Sequence, residues 1–292
     1  MPEMPEIEAH AERLSDQFAG RVLATFQPFN FTALKTAVPA PDIAEGLPLL
    51  GVRRRGKYLL IDFEPITFVV HLMQGGRLLA DSKRSAKPRG GQARFVFEPA
   101  EGPDGNLDET ALLLTEQGKE RRAGIWCVAA GEVETTPPVD KLGPEAAGIS
   151  AADLAARFGE KSMRIHGFLR DQRMVAGIGR RLSNEICWTA RVSPFATTKA
   201  LGATGAVDIA EAIAACVAEG LSQERSRDAM SSSKDRTSAV HNRTGEPCQR
   251  SDEHGPDTIR AVEYSGYTVN YCPTCQTKGK ILADNTTSKF LK

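Results

Sequence analysis

Four residues near the C-terminus have the types and the spacing of metal ligands. Cys272-Pro-Thr-Cys275 separates two thiolates by two residues, so that one tight turn can direct both at a single ion. Cys248 and His254 lie upstream and can supply a second knuckle with one sulfur and one nitrogen. The set predicts one structural zinc ion with four protein ligands and no vacancy for a catalytic water. His254 could instead be a surface histidine, in which case the site would lack a ligand or borrow His241.

The second residue of the chain, Pro2, is a candidate nucleophile. A small residue after the initiator methionine normally leads to removal of that methionine, which would expose the secondary amine of Pro2. An α-amino group has an unperturbed pKa of about 7.7–8.0, and its neutral form can attack a carbonyl-like sugar carbon to give a Schiff base. Glu3 lies beside it and can serve as a general acid. Glu6 falls in the first turn of a predicted helix, where the helix dipole favours a carboxylate.

A helix and a set of strands must position this amino terminus. Apolar residues recur at three- or four-residue steps from Ile7 to Phe18, which predicts a helix within residues 1–19 that starts near Pro5. Short apolar runs broken by Gly and Pro follow, and they favour an antiparallel sandwich or barrel. The predicted strands are residues 22–26, 58–63, 67–73, 93–98, 111–116 and 124–130.

The chain changes character after a polar, proline-containing stretch at 136–150, which we interpret as a linker. Helices are predicted beyond it, with Ser150 capping the first, at 149–159, 169–179, 180–190 and 206–221. Residues 226–239 contain almost no apolar side chains and predict a mobile loop. Alternation within 259–271 predicts a hairpin that joins the two metal knuckles. The predicted domains are 1–135 (catalytic), 151–240 (helical), 241–280 (zinc finger) and a tail, 281–292.

Composition and charge set limits on the function. The 292 residues include 37 Lys+Arg and 37 Asp+Glu, so binding to nucleic acid would have to rest on local groups rather than on net charge. Apolar runs are shorter than the roughly 20 residues of a membrane span and the N-terminus is charged, so we expect a cytoplasmic protein without a membrane partner. Cys127, Cys187 and Cys216 are scattered, and we expect them to be inert core thiols.

Five motifs recur together in one known family. They are MPEMPEIE at 1–8, RRGKYLL at 54–60, VHL followed by GGRL at 70–78, DQRMVAGIG at 171–179 and YCPTCQ at 271–276. In this order and at these separations they resemble the formamidopyrimidine-DNA glycosylase and endonuclease VIII family over nearly the whole chain. The tail beyond the finger resembles an actinobacterial-type branch.

This resemblance implies an α+β fold and a bifunctional enzyme. The N-terminal domain would be a two-layered β-sandwich with flanking helices. The C-terminal domain would be a helix-two-turns-helix domain that ends in a β-hairpin zinc finger. Pro2 would attack the anomeric carbon of a damaged nucleotide flipped out of double-stranded DNA, Glu3 would protonate the sugar, and the imine would permit β- and then δ-elimination. The partner would be damaged duplex DNA, bound by a monomer.

The resemblance also assigns residues that contact DNA. Lys57 matches the family lysine that contacts a phosphate near the lesion, although a solvated basic turn is the alternative. Arg121 matches a family arginine. Either Met73 or Gln74 would fill the gap left by the flipped base. The implied DNA-binding set is His71, Met73, Gln74, Arg121, Arg122, Gly177, Gly179, Arg180 and Tyr267.

Three positions depart from the family pattern. Arg180 replaces an asparagine after the GIG turn, whose amides and helix start would meet a phosphate, and Tyr267 replaces an arginine of the finger hairpin. Ala123 replaces a wedging phenylalanine, which predicts weaker unstacking of DNA bases. A noncatalytic DNA-damage binder, or a finger that binds protein, are the alternative functions. We expect oxidised purines, such as 8-oxoguanine or formamidopyrimidines, as substrates, with a preference carried by the loop 226–239.

Overall fold

The structure, a computed structural model, describes residues 1–102, 105–117, 121–232, 235–264 and 266–283. Contacts divide the chain into two units, residues 1–141 and 142–292. The finer domain bounds given above stay predictions, and residues 284–292 of the predicted tail lie outside the described residues. The elements of the first unit are α1 (Met4–Phe18), β1 (Leu23–Pro28), β2 (Gly51–Arg55), β3 (Tyr58–Asp62), β4 (Ile66–His71), β5 (Gly76–Asp81), β6 (Gly91–Phe97), β7 (Ala100–Glu101), β8 (Leu107–Asp108), β9 (Ala111–Glu116) and β10 (Gly124–Ala129), with short 3-10 turns at Pro41–Ala44 and Ala130–Thr135.

Two four-stranded antiparallel sheets form the first unit. Their strand orders are β1-β6-β9-β5 and β10-β4-β3-β2, while β7 and β8 pair separately. Phe26 of β1 and Phe95 of β6 both contact Phe68 of β4, with ring centroids 5.2 and 5.0 Å away. These aromatic side chains therefore pack the two sheets face to face. The predicted β-sandwich is confirmed.

All six predicted strands are present, and two further long strands, β2 and β5, are additional to them. The sequence of β2 includes three arginines and has no apolar run. Its charges are neutralised by partners, because Arg53 pairs with Asp62 and Arg55 pairs with Glu134. Strand β2 thus depends on tertiary ion pairs that a hydrophobic pattern does not predict.

Helix α1 is fixed firmly within the sandwich unit. Its apolar face is buried, and the Phe18 ring lies 5.3 Å from the Phe97 ring of β6. His10 donates from Nε2 to the Leu78 carbonyl of β5 at 2.8 Å, while the helix packs on β2 and β3. The helix begins at Met4, one residue before the predicted start. The residues that precede it are therefore attached to a rigid element.

The second unit begins with helices and ends with a hairpin. Its elements are α2 (Ala151–Glu160), α3 (Ile165–Arg170), α4 (Arg180–Thr189), α5 (Thr198–Arg225), α6 (Ser251–His254), β11 (Arg260–Tyr264), β12 (Tyr267–Tyr271) and α7 (Pro273–Thr277). Ser150 caps α2 as predicted, since its hydroxyl accepts the Asp153 amide at 3.0 Å. The α+β class and the hairpin between the metal knuckles are confirmed.

The predicted helix at 169–179 is wrong. Helix α3 ends at Arg170, and the chain then turns until α4 begins at Arg180. The Gln172 side chain holds this turn: its Nε2 donates to the Ile178 carbonyl at 2.7 Å and its Oε1 accepts the Gly177 amide at 3.0 Å. Side-chain bonds of this kind compete with helical ones, so the apolar spacing there did not form a helix.

Helix α5 is longer than the helix predicted at 206–221, because it spans Thr198–Arg225. An 18-residue window within Thr198–Arg225 has a mean hydropathy of 1.5, enough by length and composition alone to cross a membrane, and 39% of that window is buried. The same composition occurs in core helices. Here α5 packs against α2 and α4, and Gly202 interrupts it with a φ of 57°.

Candidate active site and metal centre

The amino terminus is held by a reciprocal capping box. The Glu3 amide donates to Glu6 Oε2 at 2.6 Å, and the Glu3 carboxylate accepts the Glu6 amide in return. Pro2, Glu3 and Glu6 are all buried, whereas Met1 is 47% exposed. The two carboxylates thus lie at the positive end of the α1 dipole.

Arg54 connects α1 to the turn that carries Lys57. Its Nε bonds to Glu8 of α1, and its Nη1 donates to the Gly56 carbonyl at 3.0 Å. Lys57 is only 8% exposed, so it does not belong to a solvated basic turn. Arg54 is the first residue of the RRGKYLL motif, and its acidic partner on α1 gives it a structural role.

His71 lies at the end of β4, close to this lysine. Its ring is 4.7 Å from the Tyr58 ring, the residue that follows Lys57 and pairs with His71 across the strands. Burial is the larger cause and the positive charge of Lys57 the smaller one, and together they lower the pKa of His71 to about 4. His71 Nδ1 accepts the Met73 amide at 2.9 Å. The neutral imidazole therefore orients the start of the following turn.

The turn after His71 is tight and depends on glycine. The Gly76 amide donates to the Leu72 carbonyl at 2.8 Å, and a Cβ at Gly76 would come within 2.3 Å of that oxygen. Met73 adopts a φ of 51°, is half-buried, and is followed by the exposed Gln74. Both candidates for filling the gap in a duplex lie on this turn, and the choice between them stays open.

Strand register brings several of the predicted DNA-contact residues to one end of the second sheet. Gly124 of β10 pairs with His71 of β4, and His71 pairs with Tyr58 of β3. Because these strands are antiparallel, the residues next to the three paired positions lie at the same sheet end. Those residues are Lys57, Met73, Gln74, Arg121, Arg122 and Ala123. Arg121 and Arg122 are exposed, while Ala123 is buried and donates its amide to Glu116 Oε2 at 2.7 Å.

The turn at 177–179 in the second unit, which was predicted to bind a phosphate, has only part of its backbone available for that contact. The Gly177 amide is already bonded to Gln172, as described above, and Gly177 has a φ of 98°. Gly179 is the N-cap of α4 and has no side chain to cap the first turn. Arg180, the first residue of α4, is exposed. The helix start, rather than the Gly177 amide, is therefore the part of this turn that can face an anion.

A buried carboxylate organises the chain that leads to the finger. Glu185 of α4 accepts the amides of Ala239, Val240 and His241 at 2.6, 3.1 and 2.8 Å. Burial raises the pKa of Glu185, and the three amide bonds oppose that rise. His241 Nδ1 lies 2.9 Å from Asn184 Nδ2, so this histidine is engaged away from the metal ligands. Nothing in the sequence pattern singled out Glu185.

The predicted metal ligands form one cluster. The ligand atoms of Cys248, His254, Cys272 and Cys275 all lie within 4.8 Å of one another. Cys248 Sγ is 3.6 Å from Cys275 Sγ, and Cys272 Sγ is 3.8 Å from His254 Nε2. A tetrahedral ion with metal–sulfur bonds of about 2.3 Å would separate its sulfur ligands by about 3.8 Å. The group can therefore hold one metal ion.

Hydrogen bonds around the cluster orient its nitrogen and sulfur atoms for binding a cation. His254 Nδ1 donates to the Gly255 carbonyl at 2.8 Å, which leaves the Nε2 lone pair directed at the sulfurs. The Arg250 amide donates to Cys248 Sγ and the Cys275 amide donates to Cys272 Sγ, both at 3.5 Å. Arg250 also stacks on Trp188 of α4, 3.7 Å from the ring centroid. His254 therefore lies with the three cysteines, as the predicted ligand set requires.

The remaining thiols have the inert character expected of them. Cys127 and Cys187 are buried. Burial raises the pKa of Cys127 to about 12 and that of Cys216 to about 11. Neither thiol supplies a reactive thiolate near neutral pH.

Comparison with known proteins finds relatives of this chain. Residues 1–117 match the model of the formamidopyrimidine-DNA glycosylase N-terminal domain. The chain is 30% identical to the formamidopyrimidine-DNA glycosylase of Thiobacillus denitrificans, over 94% of this chain and 100% of that protein. It is 37% identical to an uncharacterized formamidopyrimidine-DNA glycosylase-like protein of Mycobacterium tuberculosis, over 54% of this chain and 98% of that protein.

A solved structure shares the fold. It is the formamidopyrimidine-DNA glycosylase of Lactococcus lactis, non-covalently bound to DNA that contains an abasic site. The similarity has a TM-score of 0.80 with 18% sequence identity, and it covers 94% of this chain and 99% of the other. Both units of the present chain therefore have counterparts in one solved protein.

Proposed function

The chain belongs to the formamidopyrimidine-DNA glycosylase family, and we propose that it excises oxidised bases from duplex DNA and then cleaves the abasic strand. The observation that carries this proposal is the amino terminus: Pro2 and Glu3 are buried at the start of a helix fixed by its capping box and by His10. A nucleophile on a rigid element can be held close to its target, which is a large part of catalysis.

The proposed reaction uses Pro2 and Glu3 directly. The Pro2 nitrogen, freed by removal of Met1, bonds to C1′ of the damaged nucleotide while the glycosidic bond breaks. The damaged base leaves with the bonding electrons and takes up the proton lost by the amine, and Glu3 protonates the ring oxygen so that the sugar opens. The resulting iminium loses a C2′ proton and expels the 3′ phosphate, and a second elimination expels the 5′ phosphate. Water then hydrolyses the remaining iminium, which releases the unsaturated aldehyde formed from the sugar and regenerates the Pro2 amine. Glu6 acts as a positioning residue, because its carboxylate accepts the Glu3 amide.

Lys57 and His71 support the reaction from the sheet end. Lys57 is a buried cation, suited to a phosphate beside the lesion. His71 is held neutral and fixes the turn with Met73 and Gln74, one of which would fill the space left by the extruded base. Arg121 and Arg122, exposed at the same end, would contact the duplex.

The metal ion and the partners follow from the same proposal. Three thiolates and one neutral imidazole form a closed donor set, which zinc prefers, and the ion would have a structural role. The partner is damaged double-stranded DNA, bound by a cytoplasmic monomer. Oxidised purines are the proposed substrate class. Scoring cleavage of matched duplexes with 8-oxoguanine or an oxidised pyrimidine tests that preference.

Borohydride trapping tests the lyase. Incubation of the protein with abasic duplex DNA and borohydride should give a covalent complex, and mass spectrometry should find Pro2 as the first residue. Pro2→Gly, which still permits removal of methionine, should lower trapping by about 100-fold or more, within the usual contribution of a catalytic group. Absence of any complex with the processed wild-type protein would contradict the proposal and favour a noncatalytic damage binder.

Glu3→Gln separates base excision from strand cleavage. Glutamine keeps an oxygen that can accept the Glu6 amide, so α1 should stay capped. Excision from a lesion duplex should fall by about 100-fold or more, because the general acid is lost. Trapping on DNA with a preformed abasic site should stay within a few-fold of wild type. Equal losses in both assays would contradict the role given to Glu3.

A further inference from the structure

Two arginines of the second unit lie over aromatic rings, two of which belong to its hairpin and one to the segment between α4 and α5. The Arg170 guanidinium lies 3.6 Å from the Tyr267 ring centroid. The Arg164 guanidinium lies 5.0 Å from the Phe195 centroid and 5.5 Å from the Tyr264 centroid. The rings also contact one another, with Tyr264 5.1 Å from Phe195 and 5.8 Å from Tyr267. We call these five residues the arginine–aromatic cluster.

The charges of the cluster are not neutralised by acids. Across the part of the chain that the structure describes, no carboxylate forms a salt bridge with Arg164 or Arg170, and the contact of Arg164 outside the rings is a long bond to the Phe195 carbonyl. Neighbouring arginines differ in this respect, because Arg173 pairs with Asp171 at 2.7 Å and Arg191 pairs with Glu253. In a chain of zero net charge, two guanidinium groups without acidic partners, held on rings that contact each other, indicate an anion site.

We infer that the arginine–aromatic cluster binds a backbone phosphate of DNA, with Arg170 as its main contact and Tyr267 as the support of that side chain. The inference rests on the proposed function and adds a contact that the motifs of the chain do not include. It also gives Tyr267 a role, since the tyrosine stabilises a guanidinium that comes from helix α3.

The arrangement suits a phosphate for two reasons. A guanidinium is a planar fork with five N–H donors that can bond two phosphate oxygens at once. Arg170 also hydrogen-bonds the Tyr267 side chain, and the remaining donors of its stacked guanidinium can contact a phosphate. Stacking also restricts the long arginine side chain before DNA arrives, so less entropy is lost on binding. The support is itself fixed, because the His166 ring stacks on Tyr267 at 5.5 Å with an interplanar angle of 16°.

The salt dependence of DNA binding measures this contact. Fluorescence anisotropy with an undamaged labelled duplex gives the slope of log K against log salt, and each phosphate contact adds about 0.9 to its magnitude. Arg170→Ala should lower the magnitude by about 0.9 and weaken binding several-fold at low salt. Arg173→Ala, which removes a paired arginine three residues away, is the matched control and should leave the slope unchanged.

Variants of Tyr267 test whether its ring supports the Arg170 side chain for phosphate binding. Tyr267→Phe retains the ring and should keep the wild-type slope. Tyr267→Ala should weaken binding as Arg170→Ala does, and the double variant Arg170→Ala/Tyr267→Ala should lose little more than either single one. Tyr267→Arg/Arg170→Ala places a guanidinium on the hairpin instead and should restore the slope. Metal content equal to wild type confirms that each variant is folded around the finger.

The outcomes separate this inference from the proposed function. If the wild-type protein traps on abasic DNA but Arg170→Ala keeps its slope, the cluster inference is wrong and the lyase stands. If Arg170→Ala lowers the magnitude of the slope as expected while the wild-type protein gives no trapped complex, the phosphate contact is supported and the proposed lyase activity is contradicted. Equal changes in Arg170→Ala and Arg173→Ala would also overturn the inference, because a general charge effect would then explain both.

Discussion

At the residue scale, the candidate site relies on charge states imposed by burial. His71 illustrates this, since its Nδ1 accepts an amide and must stay unprotonated for that bond to exist. Sequence motifs placed His71 beside the predicted DNA-contact turn, but its neutral state depends on Lys57 and on burial from neighbouring strands. The position of Arg170 also depends on the tertiary fold, because its stacking on Tyr267 joins residues 97 positions apart in the chain.

The titration of His71 predicts a pH dependence of stability. Its folded pKa of about 4 lies below the unfolded value of 6.5, so the unfolded chain binds the proton first as pH falls. The stabilisation is therefore complete above pH 6.5, declines between 6.5 and about 4, and amounts to about 3 kcal/mol in full. Denaturant unfolding should show that His71→Gln has a shallower decline than wild type in this range. Parallel profiles for the two proteins would contradict the assigned pKa.

At the scale of elements, hydrophobic patterns predicted the strands that build the core. They failed where polar side-chain bonds determine the secondary structure of a segment. The six apolar runs became strands because their burial between two sheets requires only apolar residues in register. Strand β2 was missed because its arginines depend on Asp62 and Glu134, and the 169–179 segment became a turn because Gln172 binds its backbone. The metal ligands were predictable because their spacing is local within each knuckle.

The turn between β4 and β5 gives a prediction at this scale. Gly76→Ala would place a Cβ 2.3 Å from the Leu72 carbonyl, so the backbone that positions Met73 and Gln74 must move. We expect a loss of about 2–3 kcal/mol in the free energy of unfolding, as for other overpacked sites. Gly131→Ala is the control, because no heavy atom lies within 4 Å of its added Cβ, and it should change stability by less than about 0.5 kcal/mol. Similar values for the two variants in urea unfolding would show that the turn is not constrained as described.

At the scale of the whole molecule, zero net charge means that DNA binding must come from a few placed cations rather than from bulk attraction. The first unit offers Lys57, Arg121 and Arg122, and the second offers Arg180 and the arginine–aromatic cluster. Because most of the other arginines named here are paired with acids, a small number of substitutions should remove most of the affinity. The hairpin that carries Tyr267 is in turn flanked by the metal ligands, so the metal and the phosphate contact are linked within one unit.

Removal of the metal should therefore affect the second unit selectively. Wild-type protein is expected to hold one zinc ion per chain, and Cys272→Ser should lose it, while Cys216→Ser, a thiol outside the cluster, should retain it. Since the ion joins knuckles on both sides of the hairpin, chelation should open residues 241–280 to trypsin and reduce binding to duplex DNA. Residues 1–141 have their own core and should resist cleavage under the same conditions. Mass spectrometry of the fragments makes the comparison, and cleavage spread evenly over both units, or an unchanged pattern after chelation, would refute a structural ion confined to the finger.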